Sequence, residues 1–147
     1  AGAGGTTTEA LRERLAAETR RMEDAEKLKA EGNQHLSAGR HAEAVERYTE
    51  AIQAWPTNAV YYSNRAAAYT HMQKFEEAVR DCHRAIELKP DFSKAYSRLG
   101  TLHFQAGQYR KAIEEGYKKA VALEPDNAQY KQALEMAEAR VLEAEEA

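Results

Sequence analysis

Residues 59–69 read AVYYSNRAAAY, and one small residue in that stretch, Ala66, sets the frame for the chain. It stands 34 residues after Gly32 and 34 before Gly100. The same step links Ala44, Ala78 and Ala112, then Ala51 with Ala85, and Pro56 with Pro90. Small residues recurring at several fixed positions mean that two helices press closely together within each unit, and that units stack on one another. The remaining composition agrees with helices. Only three Pro and eight Gly occur in 147 residues, and Ala, Glu, Lys, Leu and Arg dominate the long uninterrupted runs.

This spacing is the tetratricopeptide pattern, and the resemblance covers roughly residues 25–125. Each unit parses into an A helix (Asp24–Ser37, Asn58–His71, Phe92–Gln105) and a B helix (His41–Ala54, Phe75–Leu88, 109–123). Proline closes each unit, and Asn58, Asp91 and Asp126 are placed to cap the next helix. The resemblance implies an all-α fold, a right-handed superhelical stack of three hairpins over 24–57, 58–91 and 92–125. A capping helix over 126–147 and an N-terminal helical extension complete it.

The third unit departs from the pattern. Pro125 follows Pro90 by 35 residues, and Lys119 stands where alanine belongs, with Ala120 one step late. The extra residue lies between Ala112 and Ala120. Either the third B helix carries a π-bulge near Gly116, or the connection after it is looser.

Beyond the repeats, Asp126 with Gln129 resembles a capping box. Tyr130, Leu134, Ala137 and Val141 then make one apolar face suited to covering the last repeat. At the other end, AGAGG looks like a tag remnant rather than a signal peptide, since no apolar core comes after it. Thr6 with Glu9 is a second candidate capping box. From there to Gly32 no Gly or Pro intervenes, so residues 1–23 read as the tag remnant and a helical extension that runs into the first A helix as one helix from Thr8 to Ser37. Leu11, Leu15, Met22 and Ala25 form only a thin stripe, which leaves this extension to fray or to pair with another copy.

Net charge is -3 and 31% of residues are charged, a balance that argues against a nucleic-acid partner. The single cysteine, Cys82, excludes an intramolecular disulfide and fits a cytoplasmic, reducing setting. No apolar run approaches the ~20 residues of a membrane span, so no direct membrane contact is expected. The five histidines lack ligand spacing, and no phosphate loop, nucleophile elbow or catalytic carboxylate pair stands out. Neither metal, cofactor nor enzyme chemistry is expected. Cys82 reads as a buried packing residue and Arg65 as a structural salt-bridge partner.

One constellation remains. Lys29 and Asn33 take positions 5 and 9 of the first A helix, Asn64 position 6 of the second, and Lys94 and Arg98 positions 2 and 6 of the third. Steps of three and four place these on one face, and A helices line the inner side of such a stack. Three cations and two amides suit two neighbouring carboxylates, as at an acidic chain end. The set resembles the two-carboxylate clamp of tetratricopeptide co-chaperones. AEKLKAEGN, PTNAVYYSNRAAAY and SKAYSRLG look most like the small glutamine-rich tetratricopeptide family.

That resemblance implies an adaptor for the C-terminal Glu-Glu-Val-Asp of the seventy- and ninety-kilodalton heat-shock proteins. Leu36, Ala67, Thr70, His71, Phe104 and Gln105 are then expected to line the groove. Other readings of the same residues are an oligomerising scaffold and a receptor for other C-terminal signals.

Overall fold

The structure is a computed structural model that describes the backbone of residues 2–146 and the side chains of residues 7–146. Every regular element among them is helical. They form two compact units, one ending at Thr57 and the other beginning at Asn58.

In the first unit, α1 (Gly2–Ser37) runs for 36 residues, about 54 Å at ~1.5 Å per residue, and forms a hairpin with α2 (His41–Ala54). The backbone is helical from Gly2, so Thr6 is not a first-turn cap; its side chain lies outside the described residues. Gly39 ends α1 at a φ of +80°, with its N–H on the Leu36 carbonyl and the Arg40 N–H on the His35 carbonyl. These are the paired bonds of a glycine-terminated helix. The hairpin closes where α1 has no side chain. A Cβ on Gly32 would lie 2.5 Å from Tyr48 Cε1, so the fully buried Tyr48 ring occupies that space. Leu11, Leu15 and Met22 are 45%, 51% and 46% exposed, so the thin stripe on the first half of α1 is not covered.

The second unit contains α3 (Ala59–His71), α4 (Phe75–Leu88), α5 (Ser93–Gln105), α6 (residues 109–123) and α7 (Ala128–Glu146). Asn58 caps α3, its Oδ1 accepting from the Val60 N–H at 2.9 Å. The caps expected at Asp91 and Asp126 are not formed. Phe92 precedes α5 with no side-chain cap bond, and Asn127 caps α7 by accepting from the Tyr130 N–H at 3.1 Å. The reason is register: the residue preceding the helical run falls two places after each proline, at Asn58, Phe92 and Asn127.

The α3–α4–α5 core holds Ala66, Ala78, Cys82, Leu99 and Leu102, with Tyr69, Val79 and Ile86 at its margin. Burial pushes the Cys82 thiol up to about 12, which leaves it un-ionised and unreactive at neutral pH. Arg65 binds the buried carboxylate of Asp81 through Nε and Nη2, at 2.7 and 2.8 Å, so this pair is structural.

In α6 the insertion becomes visible. Tyr109–Ala112 and Lys118–Leu123 are α-helical, and Ile113–Tyr117 between them is a π-helical turn. The extra residue is absorbed within the helix, so Tyr117 lies over Gly100 and Ala120 is fully buried, while Lys119 is exposed. Helix α7 packs on α6, with Ala137 beside Ala112 and Tyr117, flanked by Ala133 and Leu134.

His103 on α5 is only 5% exposed, and its Nε2 sits 3.7 Å from Glu115. Burial holds its imidazole below the usual value of 6.5, with Glu115 opposing that shift. The unfolded chain therefore takes up this proton before the folded chain does. Below about pH 6.5 stability should fall as pH drops towards the lowered folded value. Thermal melts between about pH 7.5 and about pH 5.5 should show this slope, and His103→Gln should flatten it.

Candidate ligand-binding site

Helix α5 presents Lys94, Arg98 and Thr101 at i, i+4 and i+7, one turn above another. Facing them, α3 supplies Ala67, Thr70 and His71, and the first turn of α7 adds Gln129 and Tyr130. Together with Ser97 and Leu102 these residues enclose a cavity of about 330 Å³. Two cations and several hydroxyl or amide groups line it, and no carboxylate does. An anion entering it is attracted by Lys94 and Arg98.

Arg98 is held in place from behind. Its Nε donates to Ser63 Oγ at 3.2 Å, and Ser63 is 1% exposed on α3. A guanidinium tethered at Nε has little freedom to rotate, and its planar fork suits bidentate capture of a carboxylate. Asn64, next to Ser63 on α3, is half-buried and does not line this cavity.

In the first unit, Lys29 and Asn33 stand one turn apart on α1. Lys29 Nζ pairs with Glu26 at 2.8 Å, and Tyr48 donates its hydroxyl to Asn33 Oδ1 at 2.5 Å. Asn33 is exposed and Leu36, near the end of the same helix, is half-buried.

Of the residues expected along a groove, Ala67, Thr70 and His71 share the cavity with Lys94 and Arg98. Phe104 and Gln105 do not. The Phe104 ring packs edge-on against Tyr109 at 5.0 Å and under the Arg140 guanidinium at 5.8 Å, and Gln105 is the exposed last residue of α5. Thr101 is an addition to the expected set, although its step of seven from Lys94 announced the shared face. Gln129 and Tyr130 carried no such signal, because their place depends on how α7 docks.

Among the described residues no group of three or more His, Cys, Asp or Glu is placed to hold a metal ion, and no helix is long and apolar enough to cross a membrane.

Comparison with known proteins gives a consistent result. The tetratricopeptide-repeat family matches residues 59–92 and again 93–127. The chain is 44% identical over 114 residues to the small glutamine-rich tetratricopeptide repeat-containing protein of Dictyostelium discoideum, covering 78% of this chain and 34% of that one. It thus spans about a third of the length of such curated relatives. Among solved structures, the first such domain of Spaghetti (RPAP3), bound to the HSP90 peptide SRMEEVD, superposes with a TM-score of 0.78 at 33% identity. The match covers 82% of this chain and 95% of that one. The second domain of human RPAP3, in complex with the HSP70 peptide SGPTIEEVD, gives 0.73 at 33% identity, covering 82% and 98%.

Proposed function

Because this chain belongs to the tetratricopeptide-repeat family, we propose that it is a non-enzymatic, cytoplasmic adaptor domain that grips the acidic C-terminal end of heat-shock protein 70 and 90 chaperones. Lys29, Asn33 and Asn64 take the terminal carboxylate, and Lys94 and Arg98 take the side chain of the final Asp. The single observation that carries this reading is the cavity lined by Lys94 and Arg98 and by no carboxylate. The two peptides held by the similar RPAP3 domains differ upstream but share the ending EEVD, which puts two carboxylates on the last residue. Cation pairs and amides are matched to that ending.

So short a contact should bind at about micromolar Kd, on the order of −8 kcal/mol. Calorimetric titration with SRMEEVD as free acid and as C-terminal amide is the direct test. The amide removes one charge and the strongest acceptor, and should bind at least about tenfold more weakly. Equal affinity for the two forms would overturn the clamp.

A further inference from the structure

The three hairpins treat one pair of neighbouring positions in two ways. On α1 the pair is Gly32–Asn33, on α3 Ala66–Ala67, and on α5 Gly100–Thr101, each 34 residues after the last. Over the first and third lies a tyrosine from the following helix. A Cβ on Gly32 would meet Tyr48 at 2.5 Å, and one on Gly100 would meet Tyr117 at 2.7 Å. Each tyrosine is buried, and each hydroxyl reaches the polar neighbour: Tyr48 donates to Asn33 Oδ1 at 2.5 Å, and Tyr117 lies 3.0 Å from Thr101 Oγ1. Over the second pair the helix offers Cys82 instead, and the neighbouring residue is Ala67, with nothing to hold. In the third hairpin the π-helical turn sets Gly116 against the Gly100 backbone and brings the Tyr117 ring over Gly100 as well. The hydroxyl contact thus recurs despite the inserted residue.

We propose that Tyr48 is the positioning residue of Asn33, its buried hydroxyl fixing the amide so that the Nδ2 end is presented to a carboxylate ligand. This rests on the clamp reading above. Tyr48 donates its hydroxyl proton to Asn33 Oδ1, and leaving a buried donor unmade is costly. The oxygen of Asn33 is therefore committed to Tyr48, which sets the polarity of the exposed amide. An amide turned the other way would set its oxygen against the incoming anion. The ring fills the notch at Gly32 and the hydroxyl orients Asn33. The two roles separate in Tyr48→Phe, which keeps the ring.

Tyr48→Phe should weaken binding of free-acid SRMEEVD about tenfold while binding of the amidated peptide moves little. In a double-mutant cycle, Asn33→Ala should reduce affinity in the parent chain and cost little more once Tyr48→Phe is present. That comparison holds even if Tyr48→Phe lowers the melting temperature. Unchanged affinity in Tyr48→Phe, or an Asn33→Ala penalty equal in both backgrounds, overturns the positioning role. Lys29→Ala separates the two levels. If it abolishes binding while Tyr48→Phe does nothing, only the positioning role fails; if neither matters, the clamp itself fails.

Discussion

Gly116→Ala should destabilise the second unit by about 3 kcal/mol, although glycine-to-alanine inside a helix ordinarily stabilises by about 1 kcal/mol. The sign reverses because of what the new methyl would meet. A Cβ there would come within 2.5 Å of Gly100 N and 2.8 Å of the Tyr96 carbonyl oxygen. Those are backbone atoms of a packed helix, so no rotamer change relieves the overlap, and α5 and α6 must separate. Separation also lifts Tyr117 from Gly100 and opens the cluster of Ala112, Tyr117 and Ala137. A thermal melt by circular dichroism should show a fall of about 10 °C. An unchanged or raised melting temperature would mean that the two helices do not approach so closely.

That contact shows how much of the fold was legible in the sequence. The helix pairs followed from small residues at a fixed step, because close approach of two backbones tolerates little else. The surplus residue between Ala112 and Ala120 was visible as a break in that step. Spacing alone could not choose between a π-turn and a looser connection, since both restore the phase at Pro125. The choice rests on Tyr117: only an adjustment inside 113–117 puts an aromatic over Gly100.

Helix ends were less legible. Gly39 and Gly107 stop their helices at positive φ, but the corresponding place in the second hairpin is Gln73, which takes φ +60° without a glycine to signal it. The surrounding bonds, Gln73 N–H to the Thr70 carbonyl and Lys74 N–H to the Tyr69 carbonyl, repeat the glycine pattern and impose the turn. The cavity was legible in part for a similar reason. Lys94, Arg98, Ala67, Thr70 and His71 follow from helical phase. Phe104 is drawn away by Tyr109 and Arg140, a choice made by tertiary packing that no period encodes.

Arg98→Ala should cost about 2–5 kcal/mol in binding free-acid SRMEEVD, moving a micromolar affinity to near the detection limit. The substitution removes a charge from a wall of the cavity, which weakens ligand binding, and it also takes a donor from the buried Ser63 hydroxyl, which costs the fold about 1 kcal/mol. Arg98→Lys should recover little of the loss. An ammonium that reaches the ligand cannot also donate sideways to Ser63 while offering a planar fork. Loss of affinity alone does not say which ligand carboxylate Arg98 serves, and changing the peptide supplies that. If Arg98 holds the final aspartate's side chain, replacing that residue by asparagine in the peptide should cost little more once Arg98→Ala is present. Amidating the terminus should still cost its usual amount. For Lys29→Ala the pattern should invert, non-additive with amidation and additive with the asparagine peptide. Additivity in all four pairings would mean that neither cation touches the carboxylate assigned to it.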